Sequence, residues 1–215
     1  MAEALDESGL LDEAAKLAAQ TVVPGEGGVG DLRNFLSAYY QHMPVEELFA
    51  SGPARMAGVA TEHARLAAKR PQGRALVKVS AGGMCSALEA SRGAVDIVTD
   101  DMPFLVDSIT MELTRHGLDS YHIIHPQLLV RRDVTGTLWE VVGPLHQATH
   151  QHDEIVESWT HIEIDTSSGV SLAELEKDLQ RVLLDVRVAV EDYPKMTETA
   201  LQLADRLETE GPTAP

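Results

Sequence analysis

Ala94–Leu113 reads AVDIVTDDMPFLVDSITMEL, a strand, an acidic turn and a helix in succession. Val95, Ile97 and Val98 form a short β-branched run that suits a strand buried between layers. Asp100 and Asp101 end it, and Asp101 is placed to cap the helix that follows. Pro103 falls in the first turn, where a missing N–H costs nothing. Met102, Leu105, Ile109 and Leu113 then recur at helical spacing, one apolar stripe. Gly117, after Arg115 and His116, closes the helix.

Towards the C-terminus, Tyr121–Arg132 is a long extended run. Asp133–Gly136 is a turn, and Leu138–Val142 is its hairpin partner. Ser158–Asp165 alternates Trp159, His161 and Glu163 with Thr160, Ile162 and Ile164, which predicts a strand with one wet face. Ser171 and Glu174 make a capping box for a helix whose stripe runs Leu172, Leu175, Leu179, Val182, Leu183, Val186 and Val190. Tyr193-Pro194 predicts its end, and a further amphipathic helix carries Met196, Ala200, Leu203 and Leu207.

Towards the N-terminus, Ala75–Val79 is another strand. Residues 5–72 read as helical, with Asp31 capping a helix that carries Leu32, Phe35, Leu36, Tyr39 and Tyr40. Pro44 starts a short helix and Gly52-Pro53 breaks it before a last one reaches Arg70. The chain thus divides into a helical segment (1–72), an α+β domain (73–193) and a C-terminal helix and tail (194–215). The domain has the order ββαβββα. Its two helices each have a single stripe, so both should lie on one face of a mainly antiparallel sheet, a two-layer α+β sandwich.

TDDMPFLVDSITMELTRHGL, then YHIIHPQLLVRRD and ESWTHIEID, resemble the N-terminal region of the large bacterial NAD-specific glutamate dehydrogenases over roughly Ala75–Tyr193. That resemblance implies an ACT-like variant of the ferredoxin-like fold. It also implies a non-catalytic regulatory or assembly role in an enzyme that deaminates L-glutamate to 2-oxoglutarate with NAD. The cofactor would belong to the parent enzyme; none is expected in this chain. The usual strand order of such folds ends with a strand after the second helix. Here Ala75–Val79 is expected at that edge instead.

Composition narrows the partners. The 215 residues carry a net charge of −17, with 44% hydrophobic and 4% aromatic residues. No cationic stripe is available for nucleic acid or an anionic membrane. Only one cysteine, Cys85, is present, and no apolar run approaches the ~20 residues of a membrane span. A cytoplasmic protein is expected, and the resemblance implies one that self-associates.

Several motifs invite chemistry. Gly25–Gly30 matches G-x-G-x-x-G, but no strand precedes it and no βαβ unit surrounds it, so it reads as a linker. His146, His150 and His152 have spacing compatible with a zinc site, though Gly143-Pro144 before them argues for a solvated loop. No Lys or Arg occurs between Asp133 and Glu176, which favours protonation of these imidazoles. The turn formed by Asp100, Asp101, Met102, Pro103 and Phe104 is the candidate ligand site. A helix N-terminus could seat a carboxylate and the aspartates an ammonium group, the two ends of an amino acid. ACT-like modules bind amino acids near such a turn. The alternatives are a capped helix with nothing bound, a stand-alone amino-acid-binding regulator, and a metal-dependent enzyme built on the histidine loop.

Overall fold

The computed structural model describes residues 6–21, 28–81, 92–145, 153–167 and 169–210, with side chains to residue 208. Cys85, His146, His150 and His152 lie outside them, as does the first half of the glycine motif, residues 25–27.

Three helices come first: α1 (Glu7–Thr21), α2 (Leu32–Tyr39) and α3 (Val45–Ala67). Asp31 caps α2 as expected, accepting from the Asn34 N–H at 2.7 Å. Within α3, Gly52 has φ 72° and ψ 161°, so two helical segments meet there and Pro53 opens the second.

The remaining order is β1 (Leu76–Ser80), β2 (Arg92–Asp100), α4 (Leu105–Arg115), β3 (Ser120–Ile124), β4 (Gln127–Arg132), β5 (Leu138–Pro144), β6 (Glu154–Asp165) and α5 (Leu172–Glu210). Strands β3 and β4 are the two halves of the expected extended run, separated at His125-Pro126, and both pair with β6. Proline supplies no N–H to a ladder, so the run breaks there. All pairings are antiparallel, and the strand order is β1-β2-β6-β4-β5. β1 occupies the edge next to β2, where a ferredoxin-like order would place its last strand.

Helices α4 and α5 cover one face as expected. Leu105, Ile109 and Leu113 meet Leu175, Leu179 and Leu183 over Val77, Val95, Ile97, Ile162 and Ile164. Ser171 caps α5, accepting from the Glu174 N–H. The opposite face is also covered. There α1–α3 pack Leu10, Phe35, Leu36, Tyr39, Met56 and Ala60 against Val98, Leu128, Val130, Leu138, Val141 and Trp159. The strand face bearing Trp159, His161 and Glu163 is therefore dry, not wet: these residues are 0%, 2% and 3% exposed.

Helix α5 does not end at Tyr193-Pro194 as expected. It runs unbroken through Pro194 for 39 residues. Proline forgoes one bond, to the carbonyl of Val190, and residues 191–208 are exposed, so water can solvate what is freed. The outer half carries Tyr193, Met196, Leu201, Leu203 and Leu207, all exposed.

Candidate functional site

The strand–helix turn is built differently from its expected form. Phe104, not Asp101, is the N-cap residue of α4, with φ 70° and no side-chain cap bond. A left-handed backbone at a phenylalanine is strained, and its ring is 66% exposed. The Asp101 carboxylate instead accepts from the Gln127 side-chain amide at 2.9 Å, tying the turn to β4. Met102 packs on the α4–α5 core, and Pro103 is exposed.

Asp100 is held by two guanidinium groups. Arg70 donates to Oδ1 at 2.7 Å and Arg187, from α5, to Oδ2 at 2.6 Å. Burial pushes its carboxyl pKa up, and the two arginines more than reverse this, leaving it below the ordinary value.

Arg70 leads to a fully buried network. It donates from Nε and Nη2 to Glu157 Oε1 at 2.8 and 2.6 Å. Arg132 adds bonds of 2.6 and 2.9 Å to the two oxygens of Glu157, and the Trp159 indole N–H adds another at 2.9 Å. Arg70 and Glu157 are both 0% exposed. Gly136 makes the close approach possible. Its carbonyl accepts from the Arg70 N–H at 2.9 Å, and a Cβ there would meet the Arg70 carbonyl oxygen at 2.3 Å. Nothing in the local sequence distinguishes Arg70 or Glu157 from surface residues; each is buried by partners far along the chain.

A second polar cluster lies between α3 and the sheet. His161 Nδ1 is 2.6 Å from Asp96 Oδ1. His63 sits between the Tyr39 hydroxyl, 2.8 Å from Nδ1, and the Ile97 carbonyl, 3.1 Å from Nε2. The carbonyl can only accept, so Nε2 carries the proton and Tyr39 donates to Nδ1. Burial holds the His63 pKa at about 4; Asp96 and the Ile97 carbonyl oppose this, and His161 assists it. In the unfolded chain this imidazole titrates near 6.5. Between these values the unfolded state holds more protons. The stabilising effect of a neutral His63 is therefore complete above pH 6.5 and declines as pH falls towards 4, by about 3 kcal/mol in all. Urea titrations between pH 7 and pH 4 should show this slope, and H63Q should flatten it.

Glu112, His116 and Asp178 bring ligand-type atoms within 4.8 Å of one another across α4 and α5. The cations this group holds are guanidinium ions. Arg115 pairs with Glu112 and with Asp178, and Arg181 lies 3.6 Å from Asp178. It clamps the two helices.

Residues 35–179 match the family described as "Glutamate dehydrogenase, ACT1 domain". The chain belongs to this family. The ACT1 match begins inside α2 and ends inside α5, so it includes the whole sheet and α3. Among curated proteins, the NAD-specific glutamate dehydrogenase of Pseudomonas aeruginosa is 36% identical over 116 residues. That of Halomonas elongata is 36% identical over 119, and that of Mycobacterium tuberculosis 31% identical over 117. These alignments take in 54%, 55% and 54% of this chain but 7% of each relative. Among the described residues, no helix is long and apolar enough to cross a membrane.

Proposed function

We propose that this chain is an N-terminal, non-catalytic module of a large NAD-dependent glutamate dehydrogenase, and that it acts in assembly more than in sensing. The parent reaction would be oxidative deamination of L-glutamate to 2-oxoglutarate, with NAD bound elsewhere in the enzyme. The observation that carries the choice is Asp100: both its carboxylate oxygens are taken by Arg70 and Arg187. A ligand ammonium at the turn of Asp100, Asp101, Met102, Pro103 and Phe104 would have to displace a buried guanidinium. Support for assembly comes from α5, whose exposed outer half continues the apolar stripe that its inner half buries.

An antibody raised against this chain tests the reading. On a denaturing blot of source cells it should mark a band far above 23.3 kDa. It should also deplete glutamate-dependent NAD reduction from an extract. A band at the mass of the chain alone, with activity left in the supernatant, overturns the assignment.

A further inference from the structure

We infer that the cavity between α5, the β1–β2 edge and residues 73–75 binds a small organic anion through a carboxylate or phosphate group. The cavity measures about 360 Å³, within the size range of small-molecule sites. Arg74, Arg187, Thr99 and Gln180 supply its polar lining, with Leu183 and Leu184 as an apolar wall.

Two features point to an anion. The first is charge. Arg70, Arg132 and Arg187 are balanced by Asp100, Glu157 and Glu191, the last 3.7 Å from Arg187. Arg74, which lines the cavity, adds a further cation in a chain of net charge −17. Its carbonyl anchors Arg70 Nη1 at 2.9 Å, while its exposed side chain has no carboxylate partner among the described residues. The second is Thr99, which is 1% exposed. Its hydroxyl has no hydrogen-bond partner among the described residues, an arrangement that costs stability in the free protein.

Guanidinium groups suit the paired oxygens of carboxylate and phosphate. Arg187 is already fixed by Asp100, so it presents a preorganised edge, and Arg74 can close over the ligand. The Thr99 hydroxyl would gain the acceptor it lacks. The leucine wall favours an anion with an apolar body over a bare ion.

Calorimetric titration of the whole chain at low ionic strength tests this, with succinate, inorganic phosphate and adenosine monophosphate as probes. At least one should bind with one-to-one stoichiometry. Succinate alone would identify a carboxylate site; phosphate or the nucleotide would identify a phosphate site. R74Q should weaken the bound probe about tenfold or more without changing the melting temperature, because Arg74 is exposed and unpaired. T99V should weaken it too, yet raise the melting temperature of the free protein, since it removes an unsatisfied buried hydroxyl without changing shape. The inference fails if no probe binds, or if binding is the same in R74Q and T99V as in the parent chain.

Discussion

Replacing Glu157 with alanine should cost the folded state about 3–5 kcal/mol, because it leaves Arg70 and Arg132 as buried charges without their shared counter-ion. The loss spreads beyond one ion pair. Arg70 would retain only Asp100, at the edge of the cluster, as a counter-ion, and the Trp159 indole N–H would lose its acceptor. E157Q separates charge from shape: it keeps the volume and one acceptor oxygen, so its cost should be smaller but still well above that of a surface substitution. The acid limb is informative as well. Burial raises the Glu157 pKa, and the arginines more than offset this, so its folded value lies below the ordinary 4.5. Its contribution is complete above that pH and is lost as the pH falls through the folded value. Urea midpoints at pH 7 for the parent, E157Q and E157A check the order. Parent-like stability in E157A would mean that the arginines reach water, contrary to the burial described.

Much of the fold is legible locally, and what is hidden has one physical origin. The stripes of α4 and α5 and the caps at Asp31 and Ser171 depend on neighbours a few residues away, and the structure contains them; the expected ββαβββα order holds except that its third strand is split into β3 and β4. The cap at Asp101 is a local signal that lost: its carboxylate went to Gln127, and the chain took one more turn through Pro103 and Phe104 before the helix began. The dry face of β6 is a different kind of miss. Alternation reports which residues share a face, and it cannot say whether polar ones meet water or a buried partner. His161 meets Asp96, 65 residues away, and Glu163 meets Arg55, 108 residues away. The Arg70–Glu157 lock, 87 residues apart, is invisible for the same reason. The stretch Ala94–Leu113 therefore locates the candidate turn but not the partners that occupy it.

A chain that begins at residue 69 should fail to fold cooperatively, although every strand of the sheet remains in it. Deleting α1–α3 uncovers Val98, Leu128, Val130, Leu138, Val141 and Trp159, a contiguous apolar face that is otherwise sealed. At ~25 cal/mol per Å² of apolar surface, exposing several such side chains removes more than the 5–15 kcal/mol by which domains are stable. Trp159 shows why the loss is specific. Its ring packs edge-on against Phe35 with centroids 5.9 Å apart and lies 5.2 Å from His63, both on deleted helices. Asp96 and His161 would lose the cover of α3, and Glu163 would lose Arg55. The contrasting deletion removes the chain from residue 191 onward, of which residues 191–208 are all exposed; it should change stability by no more than about 0.5 kcal/mol. Near-ultraviolet dichroism and urea unfolding of the two truncated chains give the comparison. A sharp, parent-like transition in the chain from residue 69 would mean that the α+β unit stands alone. Loss of that transition, with the C-terminal deletion unaffected, would mean that the N-terminal helices complete the core and that the folding unit extends from α1 to the inner half of α5.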